Sequence, residues 1–134
     1  MEDGQRISKL PLEGIRVTDV TSSWAGPYMT NMMGALGAEV IKVDSIQRLD
    51  IWRPSATQFL SPREKIWEWS PNWNAVNTDK VCITLDLNAS RGTEIFKRLV
   101  EISDVVAENY TPRVMPNFGL DYSVLKSVKP EIIM

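Results

Sequence analysis

The stretch Ile15 to Asp44, IRVTDVTSSWAGPYMTNMMGALGAEVIKVD, most narrows what this chain can fold into, because it reads as strand, loop, helix and strand in close succession. Ile15 to Val20 is a short β-branched run, and the loop Thr21 to Gly26 holds small and polar residues plus one tryptophan. Pro27 suits a first helical position, where a missing N–H costs nothing, and Gly37 can supply the left-handed residue that ends a helix. Between them Tyr28, Met29, Met32, Met33 and Leu36 recur at helical spacing and predict one apolar face. Val40, Ile41 and Val43 then give a second strand. Two strands joined so briefly by a helix predict a right-handed βαβ unit with parallel strands. That topology puts loop 21 to 27 at the carboxyl end of the first strand, the edge where open α/β sheets bind ligands.

The chain has 134 residues, 43% of them hydrophobic, enough for one domain with a core and too few for two of ordinary size. A net charge of −2 offers no field for nucleic acid or an anionic membrane, and no apolar run approaches the roughly 20 residues of a bilayer span. The opening MEDGQRISKLPLEG lacks the apolar core of a signal peptide, so a cytoplasmic protein is expected. Cys82 is the single cysteine; it rules out an internal disulfide and is expected to be a buried thiol within a strand. With no histidine, neither a zinc site of nitrogen and sulfur ligands nor a Ser-His or Cys-His nucleophile pair can be assembled. The one glycine of loop 21 to 27 forms no GxGxxG or Walker pattern, and Asp19 alone after the first strand does not make the acidic cluster of a receiver domain.

Residues 1–11 are expected to form a loose arm. Ser45 to Asp79 is irregular and holds Trp52, Trp67, Trp69 and Trp73, four of the five tryptophans. A long loop of that kind must be functional or packed, and so much aromatic surface argues for packing on a ligand, a subunit or further chain. From Cys82 to Leu87, alternation predicts a strand with one wet face near a sheet edge. A helix follows over Arg91 to Ile102, capped by Asn88 or Ser90, with Ile95, Phe96, Leu99, Val100 and Ile102 inward. Then come a buried strand Val105 to Ala107, a polar loop Glu108 to Pro112, a short helix Arg113 to Asn117, a turn at Gly119, a helix Tyr122 to Val128 and a last strand Glu131 to Met134. A doubly wound sheet is normally finished by further elements, so a fragment is expected.

Leu12-Glu-Gly-Ile-Arg-Val17, Ala25-Gly-Pro27, Leu36-Gly-Ala-Glu-Val-Ile-Lys-Val-Asp44, Ile83-Thr-Leu-Asp-Leu87 and Asp104-Val-Val-Ala-Glu-Asn-Tyr110, followed by Pro112, Val114-Met115 and Phe118-Gly-Leu120, together resemble the amino-terminal region of the class III CoA-transferases, the CaiB/BaiF family. The resemblance runs from about Leu10 to Met134. It implies an α/β fold, a mostly parallel Rossmann-like sheet with helices on both faces, here incomplete, spanning 12–134 with 45–79 as an aromatic-rich insertion. It also implies an interlocked homodimer that moves CoA from an acyl-CoA thioester to a carboxylic acid, with CoA as substrate and no permanently bound cofactor. The family's nucleophile is an aspartate that carries the acyl group as a mixed anhydride; it lies beyond the segment matching Glu131 to Met134 and is absent here. Asp19, Asp44, Asp86, Glu108 and Asp121 match no catalytic position.

The carried-over residues are those that handle CoA. Asn109 and Tyr110 match the family's Asn-aromatic pair along the bound CoA; an amide can bond the pantetheine arm and a phenol ring can cover it. Alternatively, Asn109 ends a strand and Tyr110 packs. Ser22, Ser23, Trp24, Ala25 and Gly26 match the loop near the thioester, where a plain βα turn is the competing interpretation. Ser45 and Leu85 fall at lining positions, Leu85 being equally a core residue. The chain departs from the family at Asn117, where a basic residue often reaches a CoA phosphate, at Ser45, where an arginine can occur, and at Asn77-Thr-Asp-Lys80, usually richer in basic residues. Arg113 replaces a usual glycine and can supply a charge from another angle. The α-methylacyl-CoA racemases share the fold and are the alternative enzyme class; a CoA-binding module or an inert fragment is the alternative for this chain alone.

Overall fold

The computed structural model describes residues 9–58, 61 and 64–134. Among them, β1 (Arg16–Asp19), β2 (Glu39–Asp44), β3 (Lys80–Thr84) and β4 (Val105–Ala107) form one all-parallel sheet in the order β3-β2-β1-β4. The chain runs outward from β1 through β2 to β3, then crosses back to place β4 on the other side of β1. This reversal is the topological switch point of an open α/β sheet, and it leaves a crevice between the tips of β1 and β4. Helices cover both faces, as the α/β resemblance implied. On one face Met33 of α1 (Ala25–Ala35) packs with Val17, Ala38, Val40 and Ala107. On the other, Phe96 and Val100 of α3 (Ser90–Glu101) and Leu125 of α5 (Tyr122–Val128) pack against Val20, Val43 and Val106, with Met115 of α4 (Val114–Asn117) and Leu120 closing the larger core.

Local chemistry sets the boundaries. Helix α1 ends at Gly37, at φ +102°, where Gly37 N–H donates to Gly34 O at 2.8 Å and Ala38 N–H to Met33 O at 3.0 Å, the paired bonds of a Schellman end. Asp121 caps α5 by accepting from Ser123 N at 3.0 Å and Val124 N at 3.3 Å. Leu12 N donates to Leu36 O at 2.9 Å, which ties the entry of the chain to the end of α1. Residues 1–8 of the expected arm lie outside the described residues.

Several expectations are corrected. Helix α1 begins at Ala25, so Pro27 is its third residue. Its apolar face is not the buried one: Tyr28, Met29, Met32 and Leu36 are exposed, whereas Gly26, Pro27 and Thr30 are buried, because small side chains let the helix lie close over the polar top of β1. The third strand is two residues earlier than its alternation predicted, lies at the sheet edge as expected, and exposes Val81 and Cys82 on opposite faces, so the thiol is not buried. Neither Asn88 nor Ser90 caps α3; Ala89 stands there without a side-chain bond, and Ile102 ends outside the core, 55% exposed. The last strand reduces to one parallel bridge between Ile133 and Val105.

The described residues of segment 45–79 pack in part on their own chain. They form tight turns over Arg53–Gln58 and Ile66–Trp69 and a short helix, α2 (Pro71–Ala75), capped by Ser70. Trp73 is buried beneath the Arg53 guanidinium, 3.7 Å from its ring centre, and Trp52 meets Trp24 edge to face at 5.8 Å. Trp67 and Trp69 are exposed.

Gly92, in the first turn of α3, gives a stability test. A Cβ there would stand 1.9 Å from the Asp86 carbonyl oxygen, a backbone atom that cannot swing aside. Gly92→Ala is expected to cost about 1–3 kcal/mol or more in urea denaturation. Gly119→Ala meets open space and only a φ of +65°, so about 1 kcal/mol is expected there. Equal midpoints for Gly92→Ala and wild type would contradict the packing.

Candidate functional site

The site is built on a buried ionic cluster. Asp19, at the end of β1, is fully buried, and its Oδ1 accepts from Thr21 N at 2.8 Å and Thr21 Oγ1 at 2.6 Å. Its Oδ2 accepts from Thr30 Oγ1 at 2.6 Å and Lys80 Nζ at 3.0 Å. Lys42 Nζ lies 3.6 Å from Oδ1 and donates to the Thr21 carbonyl, so one carboxylate binds the loop at both its amide and, through a lysine, its carbonyl. Lys80 also reaches Pro27 O at 2.9 Å and Asn77 Oδ1 at 2.9 Å, fastening α1 and the insertion to the same point. Burial opposes ionisation of Asp19, but the two lysines and the hydroxyl donors outweigh it and hold its pKa below the ordinary carboxylate value.

Above the cluster the tips of β1 and β4 are joined. Asn109 Oδ1 accepts from Ser22 N at 2.8 Å, and its Nδ2 donates to Ser22 O at 2.8 Å, the two-bond pairing a neighbouring strand would make. Gly26 permits this closeness: a Cβ would meet Thr21 Cβ at 2.6 Å and Asn109 Cγ at 2.9 Å. Asp50, from the insertion, braces the same loop by accepting from Ser22 Oγ at 3.0 Å and Ser23 N at 2.9 Å. Ser23 thereby sits at φ +69°, a conformation a serine rarely takes unsupported.

Beside this junction a cavity of about 300 Å³ opens at the carboxyl rim. Val20, Val43, Leu85, Leu87, Val114 and Phe118 form its apolar floor, continuous with the larger core. Ser22, Ser45, Arg48, Asp50 and Tyr110 line its polar side. Burial, followed by the charges of Asp19 and Asp44, raises the Tyr110 pKa, so the phenol is a hydrogen-bond donor at neutral pH.

Of the residues singled out from sequence, Ser22, Ser45, Leu85 and Tyr110 line the cavity together. Asn109 stands at the junction with both amide ends committed to Ser22, and Ser23 is held by Asp50. Trp24 precedes α1 and is exposed, Ala25 and Gly26 are the first two helical residues, and Arg113 is exposed before α4; none of these four is in the cavity wall. Sequence reasoning missed Asp19, Lys42, Lys80, Arg48 and Asp50. A lysine inside the apolar run Val40-Ile41-Lys42-Val43 was the available signal, since a charge in a buried parallel strand requires a buried partner.

The sequence matches CoA-transferase family III over residues 12–134. The chain belongs to that family. Mouse succinyl-CoA:glutarate CoA-transferase is 37% identical over 126 residues, 94% of this chain and 28% of that protein. The succinyl-CoA–L-malate CoA-transferase alpha subunit of Chloroflexus aurantiacus is 34% identical, again over 94% of this chain and 28% of the relative. A crystal structure of a CaiB/BaiF family protein from Brucella suis superposes with a TM-score of 0.79 at 33% identity, covering 94% of this chain and 32% of that one. The chain thus spans about a third or less of the length of these family members. Among the described residues no helix is long and apolar enough to cross a membrane.

The cluster makes a stability prediction. A carboxylate whose folded pKa is depressed stabilises the fold above its unfolded value, near ~3.9, and that contribution is lost as pH falls through the lower folded value. Asp19→Asn leaves Lys42 and Lys80 buried without their carboxylate and is expected to cost about 3–5 kcal/mol at pH 7 in urea denaturation. The gap between variant and wild type should narrow as acid protonates Asp19. A constant gap down to pH 2 would contradict this role.

Proposed function

We propose that this chain is the CoA-holding amino-terminal part of an enzyme that transfers CoA from an acyl-CoA thioester to a carboxylic acid. The observation that carries the proposal is the cavity at the switch-point rim, where four separated residues singled out for CoA, Ser22, Ser45, Leu85 and Tyr110, line one space. Family membership and the activities for which the relatives are named support it.

In this mechanism the apolar floor takes the hydrocarbon part of the ligand, the Tyr110 ring covers it, and the phenol donates to an amide carbonyl of the pantetheine arm. Asn109, through Ser22, fixes the height of loop 21–24 and presents its outer edge along the arm. Ser23, Trp24, Ala25 and Gly26 flank the thioester end, and Arg113 stands on the outer rim. The nucleophile is an aspartate beyond this chain. Its carboxylate attacks the thioester carbonyl and the C–S bond breaks; the acyl group stays as a mixed anhydride and CoA leaves as the thiolate on this rim. Asp44 and Asp50 do not serve as that nucleophile: Asp44 pairs with Arg53 at 2.7 Å, and Asp50 accepts from Ser22, Ser23 and Trp52.

The working form is a homodimer in the cytoplasm. The exposed apolar side of α1, Tyr28, Met29, Met32 and Leu36, together with Trp24, supplies surface of the kind a subunit interface buries, and an exposed single thiol suits a reducing compartment.

Calorimetric titration of this chain with CoA should give saturable heat, and Tyr110→Ala should weaken binding about tenfold. No saturable heat with the wild-type chain would remove the CoA-holding role and leave an inert piece.

A further inference from the structure

Two segments far apart in sequence are fastened to each other at Asp50. Its Oδ2 accepts from Ser22 Oγ at 3.0 Å and Ser23 N at 2.9 Å, while its Oδ1 accepts from Trp52 N at 2.9 Å. The side chain is buried, so one oxygen holds the loop after β1 and the other holds the insertion's own turn. Just beyond, the Trp24 and Trp52 rings meet edge to face at 5.8 Å, a second tie between the same two pieces of chain.

What these contacts hold is a backbone angle. Ser23 stands at φ +69°, in the left-handed region that a Cβ disfavours. Where α1 ends in that region the chain supplies Gly37; at Ser23 it supplies a side chain, so the conformation must be imposed from outside the loop. The peptide joining Ser22 to Ser23 is gripped at both edges, its C=O by Asn109 Nδ2 and its N–H by Asp50. A peptide plane held at one edge only can rotate about its flanking single bonds, trading ψ at Ser22 against φ at Ser23. The Asp50 bond is what stops that rotation.

We infer that Asp50 is a positioning residue: it keeps Ser23 left-handed, and through Ser23 it sets the shape of loop 22–24 before CoA arrives, without itself touching the ligand. The inference rests on the proposed CoA-holding role and adds to it the device that keeps the loop ready. If loss of Asp50 leaves the loop ready in about a tenth of molecules, apparent affinity falls by that same factor.

The test measures CoA affinity by calorimetry for wild type, Asp50→Ala, Ser23→Gly and the double variant, with the carbon chemical shifts of Ser23 reading its backbone angle directly. Asp50→Ala should weaken CoA about tenfold and move the Ser23 shifts away from the left-handed pattern. Ser23→Gly alone should change affinity less than about threefold, and in the double variant it should recover most of the loss, because glycine takes positive φ without a brace. Glycine at position 23 would not rescue a role limited to holding the insertion together, nor a direct contact between Asp50 and CoA. Wild-type affinity or unmoved Ser23 shifts in Asp50→Ala, or a loss that Ser23→Gly does not reduce, would overturn the inference while leaving the CoA-holding role intact. If Asp50→Ala alone does not fold, the double variant decides: a folded chain with restored CoA binding supports the inference, and an unfolded one overturns it. A wild-type chain that gives no saturable heat would overturn both.

Discussion

Everything at the carboxyl rim depends on one carboxylate buried with two ammonium groups. Asp19, Lys42 and Lys80 come from three adjacent strands, and their side chains are at most 1% exposed. Desolvating three charges is costly, and such a cluster persists only when its remaining hydrogen-bonding capacity is met. Here Thr21, Thr30, Asn77 and the carbonyls of Thr21 and Pro27 meet it. These partners belong to the loop after β1, the first two turns of α1 and the approach to β3. The cluster therefore does more than balance charge: it sets the positions of three elements that would otherwise be joined only by loops.

That fixed base explains why the rim can be shaped by small residues. Helix α1 turns its small side, Gly26, Pro27 and Thr30, to the cluster and leaves its large apolar side outward. Close approach of the helix lets Asn109 reach Ser22 and stitch the switch-point crevice at its top. Asp50 then braces the loop from the insertion side, so the wall of the cavity and the strained backbone at Ser23 share one support. Segment 45–53, irregular in sequence, is thus part of the site: it contributes Ser45, Arg48, Leu49, Asp50 and Ile51 to the wall.

Where periodicity carried the information, the sequence was legible. The βαβ unit, β4 at Val105–Ala107, α5 at Tyr122–Val128 and the edge position of β3 all follow from spacing and turn residues. Spacing shows that α1 has an apolar face but cannot say which face meets the sheet; that was decided by steric closeness and by the polar cluster, neither of which has a period. At Cys82 residue type favoured burial, but β3 is an edge strand with no strand beyond it among the described residues, and Val81 and Cys82 are exposed there on opposite faces. Ser22, Ser45, Leu85 and Tyr110 were found through motif resemblance, which records position. Arg48 and Asp50 were missed because a brace or a rim charge inside an irregular segment leaves no pattern to read.

The most direct measurement is an amide chemical-shift titration of the 15N-labelled chain with CoA. A site at the switch-point rim predicts that the shifted resonances cluster at Thr21–Ser23, Ser45–Asp50, Leu85–Asn88 and Asn109–Tyr110, on the carboxyl ends of all four strands. Shifts centred instead on Arg16, Glu39 and Asp104, at the amino ends of β1, β2 and β4, would contradict it.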